Sequence, residues 1–225
     1  MIQIQSLTKS YGSKQVLHGI DLTLEEGKVY GIVGENGAGK TTLFKCIAGF
    51  ESYEGDIKAA VHPIKNHLGY LSTNPIFLSR VTGWEYLKLL SIARGVYEEN
   101  FEERNIFDLP LQEYAESYST GMKKKLALYG ILLQQNDIYI LDEPFNGVDI
   151  HSNMIIIELI EKLKAAGKTV LISSHIFSTL SECCDEIHLL KNGNFVQSAT
   201  HKTFSALEQQ MKSFVIDSKV AAFKV

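Results

Sequence analysis

Residues Gly34 to Thr42 read GENGAGKTT, a G-x-x-x-x-G-K-T spacing whose chemistry is phosphate binding. Gly34, Gly37 and Gly39 lack Cβ atoms, so the backbone is free to curl and to aim its N–H groups at an anion. Glu35, Asn36, Ala38 and Thr42 complete the stretch expected to touch the nucleotide. The loop opens a helix, and a helix N-terminus adds partial positive charge. Lys40 is placed to reach the β- and γ-phosphates, and the Thr41 hydroxyl to ligate Mg²⁺.

Two further segments carry groups suited to the same reaction. IYILDEP, Ile138 to Pro144, ends an apolar run with paired carboxylates. Asp142 suits a Mg²⁺ ligand, and Glu143, on a different face, suits the activation of an attacking water. Unpaired carboxylates are costly to bury after so apolar a strand, which favours a functional pair over an incidental surface one. TVLISSH places His175 at the end of another buried run, where ligands of open α/β sheets bind, and so against the γ-phosphate. His18, His62, His67, His151, His188 and His201 read as surface or satisfied core histidines. In YSTGMKKKLAL, Ser119 fits a helix N-cap and Gly121 permits close backbone approach. Taken alone, that segment reads as a capped helix with a solvated run of Lys123, Lys124 and Lys125.

These residues need a frame. KVYGIV before the loop reads as a buried strand, and LFKCIAG after it as a helix with Gly49 as its C-terminal cap. Upstream, Ile2 to Tyr11 and Val16 to Leu24 alternate apolar and polar residues about a turn at Gly12 and Ser13, as antiparallel strands do. Gly55 to Val61 and His67 to Ser72 read as strands. Trp84 to Gly95, Phe101 to Leu109 and Met122 to Gln134 read as helices, forming an insertion over about 75–135. Asn153 to Ala165 and Thr203 to Lys212 read as later helices, and Glu186 to Gln197 as a hairpin turning at Asn192 and Gly193. Strands separated by helices imply a mainly parallel sheet. The expected fold class is therefore α/β: a P-loop core, an antiparallel β subdomain on the N-terminal side and an inserted helical subdomain, in one domain spanning 1–225.

Composition narrows the classes. The chain has 225 residues, 45% hydrophobic, with net charge −4, which argues against a basic groove for nucleic acid. Cys46, Cys183 and Cys184 have no metal-ligand spacing, and fit a reduced, cytosolic setting. No basic-then-apolar leader and no apolar run near the ~20 residues needed to span a bilayer is present, so spanning is expected of another chain.

In this order, the segments resemble the nucleotide-binding subunit of an ATP-binding cassette transporter over nearly the whole chain. GENGAGKT matches the family's Walker A loop and IYILDEP its Walker B strand with a catalytic glutamate. STGMK at Ser119 to Lys123 is similar to its signature, NGVD at Asn146 to Asp149 to its D-loop, and SSH ending at His175 to its switch histidine. Tyr11 sits where the family stacks an aromatic ring on adenine; read by itself it also fits a core aromatic. The resemblance implies ATP and Mg²⁺ as ligands and a homodimer in which Ser119 and Gly121 serve the second subunit's nucleotide. It also implies a permease on a separate chain and a cytoplasmic location on the inner face of the membrane. The pattern is more like bacterial exporters than importers.

Three positions depart from the family's pattern. Thr73 stands where the family places a glutamine that helps hold Mg²⁺, and its shorter side chain leaves that coordination open. Thr120 and Met122 replace a glycine and a glutamine in the signature. Two alternatives stay open beside the transport motor: a soluble cassette protein acting on ribosomes or DNA, and a regulatory nucleotide-binding module with weak ATPase activity.

Overall fold

The computed structural model describes residues 1–97 and 99–215; Glu98 and residues 216–225 of the expected span lie outside it, and no side chain is described for 213–215. Strand β1 (Ile2–Tyr11) turns at Gly12 into β2 (Lys14–Leu24), pairing antiparallel with Ile2 opposite Leu24. Strand β4 (Glu54–Ala59) covers the other edge of β1, giving a sheet ordered β2-β1-β4. The alternation in β1 has the expected result: Ile2, Ile4 and Leu7 are buried.

The second sheet frames the phosphate loop. It combines β3 (Val29–Val33), β5 (Leu68–Leu71), β6 (Ile138–Asp142), β7 (Thr169–Ser174), β8 (Glu186–Lys191) and β9 (Asn194–Thr200) in the order β5-β6-β7-β3-β8-β9. The pairings are parallel except β8 with β9, a hairpin through Asn192 and Gly193, both at positive φ. Every residue of β3, β6 and β7 is buried, which explains why they read as continuous apolar runs rather than alternating ones.

Helices cover this sheet. α1 (Lys40–Ile47) places Leu43, Phe44 and Ile47 in the core shared with β1 and β2. α2 (Gly83–Ala93) and α3 (Thr120–Leu133) lie between β5 and β6 in the chain and pack on one another. Reciprocal bonds start α2: Thr82 Oγ1 accepts from Glu85 N at 3.1 Å, and Glu85 Oε2 from Thr82 N at 2.8 Å. α4 (Ile150–Ala165) begins earlier than expected because Asp149 caps it, its carboxylate accepting from Ser152 N at 2.9 Å. α5 (Phe177–Cys183) was not anticipated; it is short and Ile176 at its N-cap provides no side-chain bond. α6 (Phe204–Val215) closes the described chain.

One expected helix is absent. Residues 101–109 form turns, not a helix. Asn105 closes them with two bonds, donating to Leu109 O at 2.8 Å and accepting from Leu109 N at 3.0 Å. Asp108 adopts φ 49, so a helix is broken there despite the apolar spacing of Phe101, Phe107 and Leu109, all buried.

Candidate active site

The phosphate loop lies between β3 and α1, as its sequence requires. Gly37 (φ 85) and Gly39 (φ 111) occupy backbone regions that disfavour other residues. Gly34 is needed for space as well: a Cβ there would collide with the Leu190 carbonyl oxygen. Ala38 tethers the loop to the β8–β9 turn, its carbonyl accepting from Gly193 N at 3.0 Å. The first N–H groups of α1 have no acceptor within the helix, so they supply donors for an anion at this point. Lys40 is 6% exposed and curls over the loop, donating to Gly34 O at 2.7 Å and Glu35 O at 3.3 Å.

Parallel register brings the remaining groups to the same edge. Asp142 pairs with Ser173 between β6 and β7, and Leu71 with Leu141 between β5 and β6, so Thr73, Asp142, Glu143 and His175 emerge together. Asp142 is fully buried, and hydroxyls satisfy it. Oδ2 accepts from Thr41 and from Thr73, both at 2.7 Å, and Oδ1 from Ser173 at 2.5 Å. Thr73 therefore reaches the acidic side chain directly, by lying on the strand edge next to it. Ser173 and the Thr73–Asp142 bond were not foreseen, because their sequence separation hides a contact made only by strand order.

Glu143 lies at the centre. It is 8% exposed and adopts φ 53, unfavourable for a residue with a Cβ. Its N–H donates to Ser173 Oγ at 2.9 Å. Oε1 is 3.3 Å from Lys40 Nζ, an ionic contact without hydrogen-bond alignment, and Oε2 is 3.0 Å from His175 Nδ1. A cleft of about 290 Å³ runs past these groups, lined among others by Asn36, Gly37, Lys40, Thr41, Thr73 and Glu143. Val16 also lines it and gave no sequence signal beyond an ordinary strand residue.

Tyr11 stands beside the loop, outside the lining of that cleft. It is 45% exposed, its hydroxyl meets Thr42 and Glu51, and Lys9 Nζ sits 4.7 Å from the ring centroid. Burial is the main cause of its raised pKa, opposed by the Thr42 contact and reinforced by the Glu51 charge. Its exposure sets aside the reading as a core aromatic.

Ser119 and Gly121 are not part of the cleft lining either. Ser119 caps α3, accepting from Met122 N at 3.2 Å. Gly121 packs against the turn after β6, where a Cβ would lie 2.7 Å from the Gly147 oxygen. The lysines that follow correct the reading of a solvated run. Lys124 is 1% exposed, and Lys125 reaches Asp149 Oδ2 at 3.4 Å and Ser152 Oγ at 3.1 Å.

The donors around Asp142 are hard oxygens, the kind Mg²⁺ takes. No group of three or more His, Cys, Asp or Glu side chains that could hold a metal occurs among the described residues. Thr41 and Asp142 could hold such a cation through these oxygens. No helix among the described residues is long and apolar enough to cross a membrane.

Comparison with known proteins identifies the family. The family model described as "ABC transporter" matches residues 17–146. The bacitracin transport ATP-binding protein BcrA of Enterococcus faecalis is 30% identical, over 99% of this chain and 77% of its own. The lantibiotic transport ATP-binding protein SrtF of Streptococcus pyogenes is 28% identical, over 97% of this chain and 99% of its own. A solved ATP-binding subunit of an ABC transporter superposes with TM-score 0.79 at 27% identity, covering 94% of this chain and 93% of that one. The dimeric post-hydrolysis cassette MJ0796, bound to ADP and Pi, has the same fold, with TM-score 0.80 at 20% identity over 89% of this chain and 99% of its own.

Proposed function

The chain belongs to the ABC transporter family, and from that premise we propose that it binds and hydrolyses ATP to drive a membrane transporter, through a permease on a separate chain. The observation that carries this reading is the placing of Glu143 between Lys40 and His175 at the mouth of the phosphate loop. A binding module without turnover has no use for a carboxylate held there against an unfavourable φ.

The residues divide the work. The Gly34–Thr42 backbone and Lys40 bind the phosphates and balance their charge. Glu143 orients a water and accepts its proton as the water oxygen attacks the γ-phosphorus. The bond from that phosphorus to the bridging oxygen breaks, leaving ADP and inorganic phosphate. His175 holds the Glu143 carboxylate and faces the γ-phosphate. Thr41 and Asp142 would hold Mg²⁺, with Thr73 orienting the carboxylate; the cation supplies charge neutralisation on the phosphate oxygens when bound. Tyr11 would stack on the base.

Part of this reading is a dimer in which Ser119 and Gly121, at the start of α3, meet the nucleotide of a second subunit. The dimeric cassette bound to ADP and Pi has this chain's fold, which is consistent with such pairing. The names of the bacitracin and lantibiotic relatives say transport, which supports a transport role; outward direction and docking on the cytoplasmic face of a permease are part of the same proposal.

Glu143→Gln tests the reading. It is expected to keep ATP binding, to lose about 10²-fold or more of turnover and to accumulate an ATP-bound dimer on size-exclusion chromatography. Turnover near the parent level would refute the assignment of Glu143 as base.

A further inference from the structure

Two backbone carbonyls hold the Lys124 ammonium. The residue lies in α3, the helix Ser119 caps, and is 1% exposed. A buried ammonium needs acceptors. Nζ donates to the carbonyl oxygens of Glu143 and Asn146, each at 2.7 Å. Burial lowers the lysine's pKa, and the Glu143 and Asp142 carboxylates oppose that shift.

Both carbonyls belong to the turn after β6. Glu143 sits there at φ 53, a conformation its own side chain disfavours, so the turn must be held from outside. On one side of its Cα the N–H donates to Ser173 Oγ; on the other the C=O accepts from Lys124. With both flanking peptide groups held, the direction of the Cα–Cβ bond is set, and only side-chain torsions remain to the carboxylate. Around this anchor α3 meets the turn once more, at Gly121 against the Gly147 oxygen, and meets the start of α4 at Lys125 against Asp149 and Ser152.

We infer that Lys124 is a positioning residue for hydrolysis, fixing the aim of the base Glu143 from the helix whose N-terminus carries Ser119. The inference rests on the proposed role of Glu143. It has a consequence for a dimer. Ser119 would contact one nucleotide while Glu143 of the same chain acts on the other, so the Lys124 ammonium is a direct mechanical link between the two sites. A shift of α3 as its N-terminus engages the second subunit's nucleotide reaches the peptide group of the base through this side chain.

Lys124→Met and Lys124→Arg, each alone and combined with Glu143→Gln in the full-length chain, test this by steady-state ATPase and ATP titration. Lys124→Met is expected to lower kcat by about tenfold to a hundredfold, the scale of a misaimed catalytic group, with ATP affinity within about threefold of the parent. Lys124→Arg, which keeps the donors, should recover most of that loss, and neither substitution should slow the Glu143→Gln protein further. An equal loss of ATP affinity and turnover, or losses that multiply with Glu143→Gln, would overturn the inference. If Lys124→Met does not fold, Lys124→Arg decides alone: any loss must fall on kcat and vanish beside Glu143→Gln, and a loss that persists there overturns it. Full turnover by Glu143→Gln itself would instead remove the base assignment, a separate failure.

Discussion

His175 Nδ1 and Glu143 Oε2 lie 3.0 Å apart, joining the chain just past β7 to the chain just past β6. The pairing of Asp142 with Ser173 sets this contact, because Glu143 lies one residue and His175 two residues beyond that pair. The carboxylate is the buried partner, with its side chain 10% exposed against 41% for the imidazole. The histidine thus closes the solvent side of a carboxylate whose other oxygen faces Lys40.

Removing that closure should cost turnover more than binding. His175→Ala is expected to lower kcat by about 10²-fold, the lower end for a group acting through proton transfer or its orientation, while ATP affinity changes little. Single-turnover phosphate release beside an ATP titration checks it. An equal fall in affinity would make His175 a binding residue instead.

Lys40→Ala should act the other way. The ammonium bridges the Gly34 carbonyl and the Glu143 carboxylate, and a phosphate would compete for it. Loss of a charge-assisted contact of about 1.5–3 kcal/mol weakens ATP binding by about tenfold to a hundredfold. Calorimetric titration reads this directly, and unchanged affinity would count against the loop as the phosphate site.

Thr73→Val keeps the shape and removes one of the two hydroxyls that donate to Asp142 Oδ2. Since Asp142 is fully buried while Thr73 is partly exposed, a loss of about 1 kcal/mol in stability is expected without nucleotide, read by urea denaturation. An unmoved midpoint would mean that Thr41 and Ser173 suffice to satisfy the carboxylate.

His188 gives the fold a pH dependence away from the active site. It is buried beside Tyr30 and Phe195, with Nδ1 on Ser198 Oγ at 2.6 Å, and burial lowers its pKa from 6.5 to about 4 despite Glu186 3.5 Å away. Between those values the unfolded chain binds the proton that the folded chain excludes. The stability it contributes is therefore complete above about pH 6.5 and is lost as pH falls toward 4, with a slope of up to ~1.4 kcal/mol per pH unit. Urea midpoints across that window should fall with pH in the parent and less steeply in His188→Gln; parallel curves would exclude His188 as the source.

Much of the site could be read from neighbours in the chain. The glycine conformations of the phosphate loop, the strand before it and the helix after it depend on contiguous residues, and so does the Asn192–Gly193 hairpin turn. The apolar runs ending at Asp142 and His175 likewise announced buried strands with polar tips. The same local rules failed at 101–109, where the spacing of Phe101, Phe107 and Leu109 suits a helix but Asn105 bonds its own backbone instead. They failed again at Lys124, since a lysine beside two others looks solvated until the carbonyls it meets are known.

Local sequence thus settled what each segment is: which residues can curl around a phosphate, and which strands can be buried on both faces. The folded arrangement settled which polar groups meet. The order β5-β6-β7-β3 gathers the hydroxyls of Thr73, Ser173 and Thr41 on the Asp142 carboxylate, and packs α3 so that Lys124 reaches the turn of Glu143. A backbone conformation depends mainly on adjacent residues, whereas the partner of a buried hydroxyl or ammonium depends on strand order and helix packing across distant parts of the chain.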